Sequence, residues 1–385
     1  MESNIFIQLA IILAATKVFG LLSKRVHMPQ VVGALLAGII LGPAMLKLVD
    51  QNEMINVLAE IGVILLMFTA GLETDLKQLR SSLKSSVVIA VTGVTVPLGG
   101  GFALAHFFGF DLMQSIFIGV ILTATSISIT VEALREMGKL KSKTGTLILG
   151  AAVIDDILGV IILSVIIGMN GGGTSFQAGW ILLKICGFFV SAWIVGFFMF
   201  RLVEHLSNKY GNVRRLPILS LAFCFFLAYL AEQFGIASIT GAYIAGLTLC
   251  GSKAERYVEK RSNELSYLFF SPVFFVSVGL YSSFDGIGGS TVIFAALLLI
   301  VAIATKLVGC GLGAKICGLS TRESVQIGAG MVCRGEVAII IATKGIIEGL
   351  LSSALFSVVI IVIIITTLIT PLLLKWAYSK GSVKQ

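Results

Sequence analysis

The chain has 385 residues, of which 57% are hydrophobic and only 12% are charged, and its formal net charge is +8. A soluble domain carries about 25% charged residues, so this composition excludes a soluble globular protein and predicts a polytopic membrane protein. The positive charge is explained better by membrane topology than by nucleic acid, which is not an expected partner. The six cysteines and three histidines lack metal-ligand spacing, and neither a disulfide framework nor a cofactor is predicted.

Apolar runs separated by charged or Gly/Asn-rich breaks predict an all-α fold with thirteen transmembrane helices. They leave no room for a soluble domain, so residues 1–385 are expected to form a single transmembrane unit. The predicted spans are 4–23, 29–47, 54–72, 85–107, 112–137, 144–169, 176–203, 215–233, 236–252, 264–283, 290–314, 322–346 and 352–376.

The basic residues test this number of spans. If alternate loops and their adjoining span ends are assigned to two sides, one side holds 22 of the 28 lysines and arginines. The other side holds only Lys47 and Lys344. A missed or invented span would scramble this division. The positive-inside rule then predicts an N-terminus outside the cell and a C-terminus in the cytoplasm.

Thirteen spans divide as six, one and six, and the two sets of six begin on opposite sides. Related halves would form an inverted repeat, a common plan among secondary transporters, with span 5 matched to span 12. Span 5 has five hydroxyl residues within 123–130, and span 12 has three glycines and two charges within 328–337. Both patterns predict an interrupted helix, although small residues also serve helix packing.

Few charges lie deep in the predicted spans. They are Asp155, Asp156, Lys306, Arg334 and Glu336, and their formal sum is −1. Buried charges are tolerated when paired, so one carboxylate is left over, as a site for a monovalent cation or a proton requires. Charges nearer the span ends are set aside because side chains there can reach the interface: Lys17, Glu60, Glu132, Lys184 and Glu232.

Asp155 and Asp156 are adjacent on one predicted helix, so their side chains point about 100° apart and cannot share a role. Lys306 is the evident partner for one of them, which leaves the other to face an ion cavity. A cation that replaces a proton there would give direct competition between the two ions. A purely structural ion pair is the alternative.

Two of the deep charges lie in span 12, and two further carboxylates follow span 3. Arg334 and Glu336 do not face each other on a regular helix. A structural role is expected for Arg334, as a helix-end or segment partner, and the role of Glu336 stays open. Glu73 and Asp75, after span 3, are expected to be solvated or to cap the next helix.

Together these segments resemble the monovalent cation:proton antiporter-2 family, and within it the bacterial NapA-type Na⁺/H⁺ antiporters, including the spore-germination branch. The matching segments are Thr123–Ser126, Asp155-Asp156, Lys306, Met331–Glu336, Gly33–Pro43 and Phe68–Asp75. The resemblance covers essentially the whole chain.

The resemblance implies a homodimer in the bacterial inner membrane that exchanges Na⁺ or Li⁺ for protons by an elevator movement. Spans 1–3 and 8–10 would form the dimerisation part, and spans 4–6 and 11–13 the moving core. It implies that Asp156 binds the cation and protons, with Thr125 and Ser126 beside the ion. It also implies that Asp155 pairs with Lys306, which would act as a proton carrier, in the pattern of electrogenic members.

Several alternatives stay open at this stage. A K⁺/H⁺ or mixed Na⁺/H⁺–K⁺ antiporter differs only in the cation. A channel would conduct without coupled proton movement, and a non-transporting sensor would not conduct at all. An intramembrane aspartyl protease needs carboxylates from separate segments, which adjacent Asp155 and Asp156 fit poorly, so an enzyme is not expected.

Overall fold

The computed structural model describes residues 4–170, 176–211, 215–281 and 289–379, and this part of the chain contains helices but no strand. The predicted all-α class is confirmed. The helices are α1 (Ile5–Arg25), α2 (Gln30–Leu41), α3 (Glu53–Leu72), α4 (Leu76–Phe107), α5 (Leu112–Thr123), α6 (Ile127–Glu136), α7 (Lys143–Asn170), α8 (Phe176–Tyr210), α9 (Arg215–Gln233), α10 (Ser238–Leu249), α11 (Glu255–Leu265), α12 (Ser271–Leu280), α13 (Gly289–Ile316), α14 (Thr321–Gly330), α15 (Glu336–Ile347) and α16 (Ser353–Ser379). A π-helical turn, Ser266–Phe270, joins α11 to α12.

Within the described residues, ten helices are long and apolar enough to cross a membrane. Three further apolar helices are shorter: Gln30–Leu41, Ser238–Leu249 and Val337–Ile347. A helix needs about 20 residues to cross the hydrocarbon core unaided. The number of thirteen spans therefore stays a prediction.

Two helices are interrupted where the sequence predicts it. The backbone leaves helical geometry at 124–126, between α5 and α6, and at 332–335, between α14 and α15. The two interruptions touch, because the Ser126 backbone N–H donates to the Cys333 carbonyl at 2.8 Å. The Thr130 hydroxyl donates to the Gly330 carbonyl, also at 2.8 Å. The prediction of two interrupted, crossing helices is confirmed.

Gly335 allows this close crossing. A Cβ atom on Gly335 would lie 2.7 Å from Ser126 Oγ and 2.8 Å from Ser126 Cβ, closer than real Cβ contacts come. A larger residue would push the two unwound segments apart. The glycine is therefore needed because it lets the two unwound segments approach each other, and not only because it interrupts the helix.

The connecting segments that are rich in lysine and arginine lie together at one end of the molecule, which is called the basic end below. The α6–α7 connection meets the α1–α2 connection there, where Glu136 accepts from the Gln30 backbone N–H at 2.6 Å. Lys143 at the start of α7 pairs with Glu323 at the start of α14 at 2.9 Å. The Thr144 hydroxyl lies 2.6 Å from that of Tyr378, near the end of α16.

The α2–α3 and α4–α5 connections lie at the opposite end. Asn52, before α3, donates to the Gln8 side chain in the first turns of α1 at 3.1 Å. Phe294 of α13 packs against Phe108 and Phe110 in the α4–α5 connection, with ring centroids 5.0 and 5.1 Å away. These described connections thus lie at two opposite ends, and the membrane topology that the basic residues indicate stays a prediction.

The helices pack as two groups. In the first, called the α4 group, α4 packs against α5, α7 and α13, and α13 packs against α14 and α16. In the second, called the α3 group, α3 packs against α10 and α12, and α2 packs against α1 and α12. The α4 group comprises α4–α7 and α13–α16, and the α3 group comprises α1–α3 and α9–α12. The candidate site lies within the α4 group and faces the α3 group.

Candidate functional site

The two adjacent carboxylates of α7 have different surroundings. Asp155 is buried, with 2% of its surface exposed. Asp156 is half-buried. Asp155 points to α13, where it meets Lys306, and Asp156 points to α10, where it meets Thr240. The divergence follows from the angle of about 100° between neighbouring side chains on a helix.

Asp155 and Lys306 form a buried ion pair. Lys306 Nζ lies 3.0 Å from Asp155 Oδ1, and the two side chains are 0% and 1% exposed. The Thr125 hydroxyl, which donates to the Thr123 carbonyl at 3.5 Å, lies beside the Asp155 carboxylate. A pair removed from water in this way tolerates the loss of neither charge, because the partner would stay buried and uncompensated.

Asp156 is linked across the boundary between the two helix groups. The Thr240 hydroxyl donates to Asp156 Oδ2 at 3.4 Å, and Thr240 is itself buried. Thr240 belongs to α10 of the α3 group, whereas Asp156 belongs to the α4 group. Asp156 therefore contacts both helix groups in this structure.

Thr125 and Ser126 lie in the α5–α6 interruption and are buried. The Ser126 hydroxyl lies 3.1 Å from that of Ser128, and its backbone N–H binds the opposite interruption. Thr125 contacts Asp155, as described above. The structure thus brings Thr125 next to the carboxylate pair, and Ser126 next to the crossing of the two segments. Hydroxyl and freed carbonyl oxygens are suitable ligands for a monovalent cation.

Arg334 lies in the second interruption and is fully buried. Its guanidinium group donates to the carbonyls of Leu122 at 2.7 Å, Ala302 at 3.1 Å and Val332 at 3.1 Å. The Leu122 carbonyl belongs to the last turn of α5 and the Val332 carbonyl follows the end of α14, so the cation offsets the partial negative charge at two helix C-termini. These contacts agree with the structural role that the sequence suggests for Arg334.

Glu336 begins α15. Its side chain lies outside the part of the chain that the structure describes.

Sequence reasoning overlooked a polar cluster near the basic end. Glu132, expected to reach the interface, is only 8% exposed and pairs with Arg135 at 3.2 Å, so that expectation is wrong. Glu73, expected to be solvated or to cap a helix, also pairs with Arg135 at 3.2 Å. Asp75 does cap α4, because it accepts from two backbone N–H groups of the first turn. Nothing in the sequence pattern singles out Thr240, which is one polar residue in an apolar run.

Comparisons with known proteins extend over nearly the whole chain. A family model described as "Sodium/hydrogen exchanger, transmembrane" matches residues 10–380. The Na⁺/H⁺-K⁺ antiporter GerN of Bacillus cereus is 42% identical over 352 residues, which cover 91% of this chain and 90% of that protein. A Na⁺/H⁺ antiporter of Enterococcus hirae is 38% identical over 374 residues, 97% of each protein.

A solved structure shares the fold. The sodium proton antiporter MjNhaP1 of Methanocaldococcus jannaschii at pH 8 matches with a TM-score of 0.70 and 19% identity, covering 96% of this chain and 95% of that one. At this identity the match shows the fold alone.

Proposed function

The chain belongs to the sodium/hydrogen exchanger family, and we propose that it exchanges Na⁺ or Li⁺ for protons at Asp156, with Asp155 and Lys306 as the neighbouring ion pair. It is a multi-pass membrane protein and a secondary active antiporter. Its transport depends on bound ions alone, with no cofactor and no catalysed reaction.

The observation that carries this proposal is that the two adjacent aspartates have different surroundings. Lys306 pairs with Asp155, so each charge compensates the other within the buried pair. Asp156 is more exposed and lies at the boundary of the two helix groups, where it meets Thr240. A carboxylate that can reach water and change partners is suited to bind a cation or a proton from either side in turn.

Antiport follows from competition at this carboxylate. A proton and a cation cannot both occupy Asp156, so binding of one releases the other. If the site faces only one side at a time, each half-cycle carries one kind of ion and no leak occurs. Thr125 and Ser126 supply oxygen atoms near the crossing, and Asp156 supplies the charge.

The packing supports an elevator movement of the α4 group against the α3 group. The site residues Asp155, Asp156, Lys306 and Arg334 all belong to the α4 group and would move together. The α3 group would form the fixed, dimerising part of a homodimer in the lipid bilayer. Thr240 of this fixed part contacts Asp156 in this conformation.

The transport cycle is proposed to be electrogenic. More protons than cations would move in each cycle if Asp155 and Lys306 also exchange a proton when their pair opens. Lys306 is then the proton carrier, and Asp156 binds the Na⁺ ion. Arg334 holds the helix ends in place, and Glu336 is an auxiliary charge.

The membrane orientation follows from charge. The basic end is proposed to face the cytoplasm of a bacterial cell, with the N-terminus outside, because lysine and arginine are retained on the inner side of the bilayer.

The cation is proposed to be Na⁺ or Li⁺. A K⁺/H⁺ or mixed exchange is the second candidate, because the Bacillus cereus relative is named a Na⁺/H⁺-K⁺ antiporter. Coordination of Na⁺ and K⁺ differs in cavity size and ligand number, so one measurement should compare the cations directly.

The experiment uses purified protein in liposomes that contain a pH-sensitive dye and an imposed proton gradient. Addition of Na⁺ or Li⁺ is expected to collapse the gradient, and K⁺ or Rb⁺ to do so less. A response to K⁺ as large as to Na⁺ would favour the mixed exchanger. Cation flux without any proton movement would indicate a channel and overturn the proposal.

A further inference from the structure

The end of α6 is tied to the α3 group by an ion-pair network. Arg135 lies 3.2 Å from Glu73, at the end of α3, and 3.2 Å from Glu132, one turn earlier in α6. It also donates to the Thr69 hydroxyl at 2.9 Å. Arg135, Glu73 and Glu132 are 17%, 10% and 11% exposed at the side chain, so bulk water screens these contacts only partly.

A second tie lies one residue further along α6. Glu136 accepts from the backbone N–H groups of Gln30 at 2.6 Å and Val31 at 3.0 Å. These are the first residues of α2, whose N-terminal N–H groups have no partner within the helix. The carboxylate also meets the positive end of the helix dipole. Two consecutive residues of α6 thus hold α2 and α3 at the basic end.

The opposite end of the same boundary contains a cavity. It has a volume of about 330 Å³ and lies between α3, α10, α12 and α15. Glu60, Glu232 and Ser238 line it, and Ser238 and Ile239 lead directly to Thr240, the partner of Asp156. A cavity therefore separates the two helix groups beside Thr240 at this end, whereas Arg135 and Glu136 join the groups at the basic end.

A second cavity of about 330 Å³ lies beside the ties at the basic end, between α1, α2, α6 and the π-helical turn. Its lining includes Glu132 and Glu136 but no described residue of α7 or α10, the helices that carry Asp156 and Thr240. Of the two cavities, the one at the opposite end is therefore the one whose lining adjoins Thr240, the contact of Asp156.

We infer that Arg135 and Glu136, with Glu73, Thr69 and the start of α2, form a latch that closes the cytoplasmic side of the ion path in this conformation. The inference rests on the proposed function for the identity of the site and of the cytoplasmic side. The latch holds α6 and, through the α5–α6 interruption, Thr125 and Ser126. These contacts break whenever the site opens inward, so they raise the fraction of molecules in which the site faces outward.

The test weakens the latch without disturbing the site. Glu73→Gln removes the ion pair between the helix groups but leaves the pair of Arg135 with Glu132 inside α6. Arg261→Gln is the matched control, because Arg261 and Glu264 form an exposed pair within α11 at 3.0 Å. Loss of the latch favours the inward-facing state. In oriented liposomes, Glu73→Gln should raise the KM for Na⁺ outside several-fold and lower the KM inside.

A labelling measurement follows the conformation without any transport. Ser238→Cys places a thiol in the cavity at the outer end, and a membrane-impermeant maleimide reports its exposure relative to the parent chain. Adding Glu73→Gln should slow this labelling several-fold, and adding Arg261→Gln should not. Arg135→Gln provides a second latch variant with the same expected direction.

The outcomes separate the two proposals. Opposite KM shifts on the two sides, with slower labelling, support the latch. KM values that stay the same or shift in parallel, with unchanged or faster labelling, overturn it. If the parent protein shows no Na⁺-dependent proton flux, the proposed function fails, and the labelling result still decides whether the latch controls exposure of the cavity.

Discussion

The buried pair of Asp155 and Lys306 makes a quantitative prediction about stability. Its two charges lie 3.0 Å apart and are 1% and 0% exposed. Unit charges at this distance attract by about 5 kcal/mol at an effective dielectric constant of about 20. Loss of one partner leaves the other charge buried, which costs about 3–5 kcal/mol. Replacement of both by neutral, hydrogen-bonding groups leaves no buried charge and should cost much less.

The corresponding experiment is a double-mutant cycle with Asp155→Asn, Lys306→Gln and the double variant. The free energy of unfolding is measured in detergent micelles at neutral pH by denaturant titration. The sum of the two single losses is expected to exceed the loss in the double variant by at least about 3 kcal/mol, the top of the range for residues in contact. Additive losses, within about 0.5 kcal/mol, would refute the argument that the pair is a closed, water-free unit.

Two further predictions concern the crossing and the basic end. Gly335→Ala should lower the free energy of unfolding by about 1–3 kcal/mol, because its Cβ would meet Ser126. Gly99→Ala, with open space around the Cβ, should be neutral or stabilise by up to about 1 kcal/mol, and equal losses for both would contradict this. Hydrogen bonds from Lys143 and Ser320 lower the pKa of Glu323 to about 2, so its stabilisation is complete above about pH 4.5 and is lost as the pH falls towards 2. Glu323→Gln should therefore lower the free energy of unfolding at pH 6 by no more than about 1 kcal/mol after screening, and the melting temperature with it. The loss should be smaller at pH 3, and a loss that grows on acidification would contradict this.

The interrupted helices and the deep charges could be predicted from the sequence because their cause is local. Hydroxyl residues in 123–130 and glycines in 328–337 have no ordinary place in an apolar span. Asp155 and Lys306 are costly in a membrane unless they are paired, so the number of plausible partners was small. The alternation of basic residues likewise follows from one physical rule that acts on every loop.

The latch residues could not be predicted because their state depends on neighbours from distant segments. Glu132 lies five residues from the end of its predicted span, and Lys17, which is exposed, lies six residues from the end of its own. Glu132 is buried where it pairs with Arg135 and where α6 packs against α3. Glu73 and Asp75 are two residues apart in one connection, yet one joins two helix groups and the other caps a helix.

Arg334 shows the same limit inside the site. Its charge was evident, and a structural role was expected from its position beside an interruption. Its partners, however, are carbonyl groups of α5, α13 and its own segment, which no side-chain pattern reveals. The length of the short helices is a further example, since Gln30–Leu41 ends earlier than its apolar run.

The central claim is that Asp156 binds the transported ions, and one measurement tests it most directly. Asp156→Asn is reconstituted in liposomes, and Na⁺-dependent proton flux is recorded with a pH-sensitive dye. Asp75→Asn is the control, because asparagine also caps a helix and the charge removed lies at a helix end away from Asp156. The flux of Asp156→Asn is predicted to fall to that of empty liposomes while the control keeps its activity. Full Na⁺-dependent flux in a folded Asp156→Asn protein would contradict the account.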